Sequence, residues 1–308
     1  MNLDFSDIKV LVVGDFMIDH YIIGESNRMS PEAPVPVVIP KEEYSIPGGA
    51  GNVAMNIGTM GAQVTCLGAI GNDIFGKKLI KIFNENNISS KHIEIIEDYS
   101  TTLKQRIYCN GIQVARVDKE EPLNWSPNQL ESSLDYSDYD VIILSDYDKG
   151  FLVRPWFFKP KNTNVILDPK NDYEHLFMHS NIITPNLNEL EKLSGMNINN
   201  NDSIESACNK LIKENNFDYI IAKKGDKGMT IAGKQNFIKH IKPYRVDNPD
   251  VTGAGDTVIA ALSIAYAKTN DIEFSAKFAN TAAAIAVGKT GTASVTIDEI
   301  NNYIEMNK

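Results

Sequence analysis

The sequence has few cysteines, no long apolar run and an excess of negative charge. Only three of its 308 residues are cysteines, and Cys66, Cys109 and Cys208 lie too far apart for the spacings typical of metal sites. We interpret them as reduced, buried thiols of a cytoplasmic protein. The N-terminus lacks a basic region followed by a hydrophobic stretch, and no apolar run approaches the length of a membrane-spanning helix.

Positive charge is the scarcer sign, with 30 Lys and Arg against 40 Asp and Glu and a net charge of −10. This balance argues against nucleic acid or an anionic membrane as a partner, so any phosphate site must be a local cluster of cations. Hydrophobic residues make up 43% of the chain and charged residues 23%, which are ordinary globular values. Because no internal repeat or linker divides the chain, we expect one domain over residues 1–308.

Short β-branched runs followed by charged loops indicate a parallel sheet. Residues 10–13 form such a run, which ends near Asp15 and Asp19, and later runs precede Asp146 and Lys170. Ligands of parallel sheets gather at the carboxyl ends of the strands, so these four residues are candidate substrate ligands. Asp15 is equally well explained as a turn residue.

A glycine-containing stretch, residues 250–257, precedes an Ala-rich apolar run that predicts a buried helix. Gly253, Ala254 and Gly255 permit a tight turn whose amide groups can point at an anion on the helix N-terminus. Asp256 would lie inside that anion site, kept ionised by the helix dipole, as a weak base that accepts a hydroxyl proton during phosphoryl transfer. The alternative is an ordinary helix start with a charged first turn.

A second glycine-containing stretch leads into another predicted helix. Gly48 and Gly49 permit close approach of a polyhydroxylated ligand, and the Asn52 amide can donate to one hydroxyl and accept from another. Taken alone, two adjacent glycines indicate only a turn.

Together the two stretches resemble the two signatures of the PfkB/ribokinase family of sugar kinases, in the right order. The resemblance covers essentially the whole chain. It implies an α/β fold, the ribokinase-like three-layer sandwich with a mostly parallel central sheet and a small β lid, built from about 15–50 and 100–120. It also implies transfer of the ATP γ-phosphoryl group to a sugar hydroxyl with Asp256 as base, Asp19 as a sugar ligand, and a homodimer formed through the lid.

Two runs around Asn110-Gly111 predict a hairpin with a type I′ turn. The period of two places Lys104 and Arg106 on one face, opposite Arg116 on the return strand. Such a face is commonly solvated. Because relatives use this region as the sugar lid, we predict that these three cations contact a substrate phosphate.

The family resemblance also implies the nucleotide and cation ligands. Asn186 and Glu189 match an Asn-x-x-Glu element that organises Mg²⁺ and the ATP phosphates, commonly through water; both are also explained as a helix cap and its capping-box partner. The other nucleotide ligands implied are Lys224, Gly225, Gly228, Asn280 and Gly291, of which Lys224 could equally be solvated. Carbonyls near Asp250, Thr252 and Ser294 can hold a monovalent cation such as K⁺.

Residues 28–37 resemble a subfamily, the heptose 7-phosphate kinases of heptose-nucleotide biosynthesis. This implies that the anomeric hydroxyl of D-glycero-D-manno-heptose 7-phosphate is phosphorylated to give the 1,7-bisphosphate. Alternatives are another sugar, such as ribose or fructose, and a non-catalytic sensor, which would need no positioned base. The residues after Ser294 suffice for one terminal helix, so we expect the product to carry no nucleotide.

Overall fold

A nine-stranded sheet forms the centre of the computed structural model, which describes residues 3–123, 134–157, 160, 163–289 and 291–306. Its strands, in spatial order, are β13 (Phe237–Ile241), β12 (Met229–Gly233), β11 (Tyr219–Lys223), β10 (Ile182–Ile183), β9 (Asn164–Asp168), β8 (Val141–Ser145), β1 (Lys9–Gly14), β4 (Gln63–Gly71) and β5 (Ser89–Ile96). The seven strands from β11 to β5 are parallel, whereas β12 and β13 are antiparallel.

Helices cover both faces of this sheet because its strands are apolar on both sides. In β1, Val10 and Val12 pack into one core, while Leu11 and Val13 pack into the other. The first core lies under α1 (Ala50–Thr59), α2 (Ile74–Glu85), α6 (Ala254–Thr269), α7 (Ile272–Val287) and α8 (Ile297–Met306), and the second under α3 (Glu174–Met178), α4 (Leu187–Ser194) and α5 (Asn201–Asn215). The predicted three-layer α/β sandwich is therefore confirmed.

A separate four-stranded sheet forms the lid. Its spatial order is β3 (Ile39–Gly49), β2 (Phe16–Glu25), β6 (Thr102–Cys109) and β7 (Ile112–Lys119). Only Asp15 separates β1 from β2, and α1 begins directly after β3. Two connections without a loop therefore join the lid to the central sheet and to α1. The backbone amide of Ala50 donates to the carbonyl of Asp15 at 3.1 Å, which ties the two connections together.

The lid hairpin has the predicted turn and register. Asn110 and Gly111 have φ of 51° and 81°, as a type I′ turn requires. Arg106 lies opposite Arg116, and Lys104 lies opposite Asp118. The predicted cations are therefore on one face of the lid.

Other local expectations concern the cysteines and two segments. The three cysteines are buried free thiols. The chain between β8 and β9 contains bends and no helix in its described part, residues 146–157, 160 and 163; residues 158, 159, 161 and 162 are outside that part. The predicted terminal helix is α8, and residues 307 and 308 lie beyond the described range. None of the described helices has the length and apolarity to span a bilayer.

Candidate active site

Five strand ends and one helix N-terminus meet at one edge of the central sheet. The carboxyl ends of β1, β8, β9, β10 and β11 lie here, as expected for the ligand-binding edge of a parallel sheet. α6 begins at the same place, after Gly253, whose φ of 74° is the left-handed conformation that glycine adopts freely. Asp256 lies in the first turn of α6.

The carboxylate of Asp256 is buried and held at both oxygens. Only 4% of the surface of Asp256 is exposed to solvent. Asn52 Nδ2 donates to Oδ2 at 2.7 Å, and the Tyr147 hydroxyl donates to Oδ1 at 2.5 Å. The Asn52 amide is in turn oriented by Asn56, whose Nδ2 donates to Asn52 Oδ1 at 3.2 Å. The two donors therefore fix the carboxylate in one orientation.

Burial gives Asp256 a higher pKa than the sequence suggested. Desolvation raises the pKa of Asp256 to about 7, against the lowering effect of the hydrogen bonds from Tyr147 and Asn52. This direction differs from our expectation that Asp256 is a weak base, because desolvation is the largest cause acting on its pKa. A carboxylate with this pKa is suited to accept a proton near neutral pH.

Tyr147 was not singled out from the sequence, and a buried aspartate holds it in place. Asp15 accepts hydrogen bonds from the backbone amides of Tyr147, Lys149 and Phe151 at 2.9, 3.1 and 3.2 Å. Asp15 therefore anchors this loop through three of the about four hydrogen bonds that its carboxylate can accept, which leaves little capacity for the predicted hydroxyl contact. The alternative explanation, a turn residue, fits the structure better.

Asp146 has a similar anchoring geometry. Its carboxylate accepts from the backbone amides of Asp148, Lys170 and Asn171 at 2.8, 3.1 and 3.4 Å. The Lys170 ammonium lies 4.0 Å from Glu189 Oε1, with its side chain 55% exposed. The structure thus gives Asp146 a backbone-holding position, and its contact with substrate stays a prediction.

Replacing Tyr147 by phenylalanine should shift the pH dependence of the reaction. In the wild type the hydrogen bond from Tyr147 lowers the pKa of Asp256. Without that bond, the pKa should rise above about 7. The acid limb of kcat/KM should move upward by about one pH unit, with rates recovering at alkaline pH. Tyr173→Phe is the matched control, because the Tyr173 hydroxyl donates to Asp148 at 2.6 Å instead of Asp256. An unmoved acid limb in Tyr147→Phe would contradict this role.

On the lid side, Asp19 is buried against Arg106. Arg106 Nη1 lies 2.5 Å from Asp19 Oδ1, and the guanidinium lies 5.4 Å from the centre of the Tyr21 ring. A Cβ atom at Gly48 would fall 2.7 Å from Asp19 Oδ2, so glycine leaves room for this carboxylate. Gly49 has φ of 57°, which also favours glycine.

The other predicted phosphate ligands already have acidic partners. Lys104 Nζ donates to Glu120 at 2.6 Å and lies 3.5 Å from Asp118. Arg116 Nε donates to Asp118 at 3.0 Å, with its side chain 52% exposed. The basic face exists as predicted, but no member of it is an uncompensated cation.

A cavity of about 550 Å³ adjoins the N-terminus of α6. Its lining includes the predicted nucleotide ligands Asn186, Gly225, Gly228 and Asn280 and the predicted anion-site residues Ala254 and Gly255. Much of the remaining wall is apolar and consists of Met229, Pro243, Val246, Pro249, Val251, Val258, Ala283, Ala284 and Val287. An apolar wall ending at a helix N-terminus suits a nucleotide base with attached phosphates.

Lys223, and not the predicted Lys224, lines this cavity. Lys224 Nζ donates to Asn201 Oδ1 at 3.3 Å, away from the lining. Lys223 Nζ donates to Asp168 Oδ1 at 2.6 Å, and a Cβ atom at Gly255 would lie 3.4 Å from that ammonium. Lys223 is therefore the cation next to the predicted anion site.

The positions of Asn186 and Glu189 fit both explanations given above, a helix cap and a Mg²⁺ site. Asn186 and Glu189 form a capping box at the start of α4, and Glu189 Oε2 accepts the Asn186 amide at 2.8 Å. Glu189 is nevertheless near Asp168 and Lys223, whose charges affect its pKa; burial is the largest cause and raises that pKa. Among the described residues, no three His, Cys, Asp or Glu side chains form a metal-binding group. A water-mediated Mg²⁺ contact fits this set better than direct ligation.

Of the backbone carbonyls near Asp250, Thr252 and Ser294 that were predicted to hold a monovalent cation, the Ser294 carbonyl already has a cationic partner, and the Asp250 contacts below involve its carboxylate. Asp250 accepts the backbone amides of Thr252 and Gly291 at 3.0 and 2.7 Å. The carbonyl of Ser294 accepts the Lys289 ammonium at 2.8 Å, so a positive charge already lies on it. Gly291 contacts Asp250 and does not line the nucleotide cavity, contrary to its predicted role.

Sequence and structure comparisons relate this chain to known carbohydrate kinases. The family described as pfkB family carbohydrate kinase matches residues 7–299. The chain is 38% identical over 303 residues to the bifunctional protein HldE of a Nitratiruptor species, covering 96% of this chain and 64% of that protein. It is also 38% identical over 303 residues to HldE of Shewanella piezotolerans, covering 96% and 63%. The chain thus spans less than two thirds of these relatives.

Solved structures share the fold at low identity. Ribokinase from Thermotoga maritima matches with a TM-score of 0.74 and 23% identity, covering 97% of this chain and 99% of that one. Arabidopsis thaliana ribokinase, complexed with ribose and ATP, matches with a TM-score of 0.73 and 18% identity, covering 97% and 98%. Because the family match extends over nearly the whole length, the chain belongs to the pfkB family of carbohydrate kinases.

Proposed function

We propose that this kinase transfers the γ-phosphoryl group of ATP to the anomeric hydroxyl of D-glycero-D-manno-heptose 7-phosphate, giving the 1,7-bisphosphate for nucleotide-heptose biosynthesis. The observation that carries the proposal is that Lys104, next to Asp19 in the lid sheet, pairs with the partly exposed carboxylates of Asp118 and Glu120, which the phosphate of a sugar phosphate can replace. Residues 28–37 and the similarity to HldE support the same substrate. The proposal concerns phosphoryl transfer, the activity class of the family that matches residues 7–299.

Asp256 is the proposed base. As the anomeric oxygen attacks the γ-phosphorus, its proton passes to the Asp256 carboxylate, and the bond to the ADP oxygen breaks. The amide groups at the start of α6, with Lys223 nearby, stabilise the negative charge on the transferred group. Asp19, Gly48 and Gly49 would contact the sugar on its lid side.

Mg²⁺ would enter with ATP. The oxygen donors of Asn186 and Glu189 can hold its water shell, and the ion neutralises phosphate charge when bound. A K⁺ site near Asp250, Thr252 and Ser294 would require the Lys289 ammonium to leave the Ser294 carbonyl. We also propose a homodimer through the lid, and a cytoplasmic location that agrees with three buried free thiols.

A substrate panel tests this function. ADP release is measured with heptose 7-phosphate, unphosphorylated heptose, ribose, fructose and fructose 6-phosphate. We expect kcat/KM for heptose 7-phosphate to exceed that for unphosphorylated heptose by about 10² or more, because charge-assisted phosphate contacts are lost with the latter. Faster turnover of another sugar would assign that substrate instead. ATP binding without turnover of any sugar would favour a sensor.

A further inference from the structure

Two lysines converge on one carboxylate between the lid and the core. Lys104 Nζ donates to Glu120 Oε1 at 2.6 Å, and Lys149 Nζ donates to Glu120 Oε2 at 2.7 Å. The three residues come from β6, from the loop after β8, and from the chain immediately after β7. Their side chains are 19%, 23% and 30% exposed, so a ligand can reach them from solvent. Glu120 therefore connects Lys104 of the lid to Lys149 of the core and is open to solvent.

Each lysine of this pair lies close along the backbone to a residue of the proposed site. Lys104 lies beside Asp19 in the register of the lid sheet. Lys149 lies two residues after Tyr147, whose hydroxyl contacts Asp256. Two residues span at most about 7 Å of chain. The Lys149 backbone is fixed by the hydrogen bond of its amide to Asp15. The pair thus joins the lid strand next to Asp19 to the loop whose Tyr147 contacts Asp256.

A phosphate group suits these two ammonium groups better than a carboxylate does. A phosphate monoester carries about −1.5 to −2 charge at pH 7 and three acceptor oxygens, whereas Glu120 supplies one charge and two oxygens. The other predicted phosphate ligands are less available: Arg106 is paired with Asp19 in a buried contact, and Arg116 is directed to Asp118.

We propose that Glu120 holds the place of the substrate phosphate in the ligand-free protein, and that Lys104 and Lys149 bind this phosphate once it displaces Glu120. The ligand class is a sugar phosphate, and this substrate rests on the proposed function. Glu120 is then a built-in competitor: a phosphate dianion displaces it, and a neutral sugar does not. Phosphate binding also keeps the lid joined to the loop that carries Tyr147, because it bridges the same two lysines.

The first test removes the competitor. Glu120→Gln should lower KM for heptose 7-phosphate about tenfold, a change of about 1.4 kcal/mol, and leave KM for unphosphorylated heptose unchanged. Glu121→Gln is the matched control, because this exposed neighbour loses the same charge and has no ion pair with either lysine among the described residues. An unchanged or raised KM for heptose 7-phosphate in Glu120→Gln would overturn the proposal.

The second test removes a proposed ligand. Lys149→Ala should raise KM for heptose 7-phosphate by about tenfold or more, through loss of one charge-assisted contact. Lys119→Ala is the control, because Lys119 lies opposite Leu103 and so occupies the other face of the lid. Equal KM values for Lys149→Ala and the wild type would also overturn the proposal.

Binding of inorganic phosphate separates this site from the proposed substrate. Calorimetry uses the full chain, with the nucleotide cavity filled by a non-hydrolysable ATP analogue and Mg²⁺. The affinity should rise about tenfold in Glu120→Gln and fall in Lys149→Ala. This result without turnover of heptose 7-phosphate would support the site and reject the substrate. Turnover of heptose 7-phosphate with phosphate affinity unchanged in both variants would reject the site and retain the proposed function.

Discussion

Asp256→Asn should lower kcat by about 10² or more while leaving ATP binding nearly intact. The asparagine amide has almost the shape of the carboxylate but cannot accept the hydroxyl proton. It also changes the local hydrogen bonds. In the wild type, the Asn52 NH₂ group donates to Asp256 at 2.7 Å. If the asparagine oxygen of the variant continues to accept from Tyr147, the asparagine NH₂ group faces this Asn52 NH₂ group. We therefore expect a small loss of unfolding free energy in addition to the loss of rate.

The measurements are single-turnover kinetics, calorimetric ATP binding and urea unfolding. Asp202→Asn is the matched control, since Asp202 lies in the first turn of another helix, α5, and is exposed. It removes the same charge at a helix N-terminus and should leave kcat unchanged. Retention of most of the wild-type kcat in Asp256→Asn would reject Asp256 as the base.

Gly253→Ala should reduce both stability and kcat. Gly253 has φ of 74°, and an added Cβ atom would lie 2.6 Å from Asn52 Nδ2 and 2.8 Å from Thr292 Cγ2. The left-handed conformation costs a non-glycine residue about 1–2 kcal/mol. The contact with Asn52 should displace the amide that orients Asp256, and displacements of about 1 Å near reacting groups can cost 10² in rate.

Gly195→Ala separates the two effects. Gly195 ends α4 with φ of 64°, and an added Cβ atom there would meet nothing within 4 Å. Both variants should lose about 1–2 kcal/mol in urea unfolding, but only Gly253→Ala should lose kcat by tenfold or more. Equal kcat in the two variants would mean that the space beside Asn52 is not required for catalysis.

Features set by neighbouring residues could be predicted from the sequence. The Asn110-Gly111 pair fixes a two-residue turn, and the period of two then places Lys104 and Arg106 on one face. Likewise, an apolar run after Gly253 predicts α6. These predictions succeed because backbone geometry over a few residues determines them.

Features set by distant residues could not be predicted in this way. The pKa of Asp256 depends on burial and on Asn52 and Tyr147, which are 204 and 109 residues away in sequence. The choice between Lys223 and Lys224 depends on where β11 ends and which side then faces the cavity. Adjacent lysines give no local signal for that choice, and the sequence prediction named Lys224, whereas Lys223 lines the cavity.

The two connections of the lid that contain no loop have a consequence for the position of Asn52. β1 continues into β2 through Asp15 alone, and β3 continues directly into α1, so residues 14–15 and 49–50 are two points at which the lid joins the rest of the fold without a loop. The Ala50 amide donates to the Asp15 carbonyl and holds these two points together. Asn52 lies two residues beyond Ala50, in the first turn of α1. The base of the lid is therefore directly continuous with the helix that supplies a hydrogen-bond donor to the proposed base.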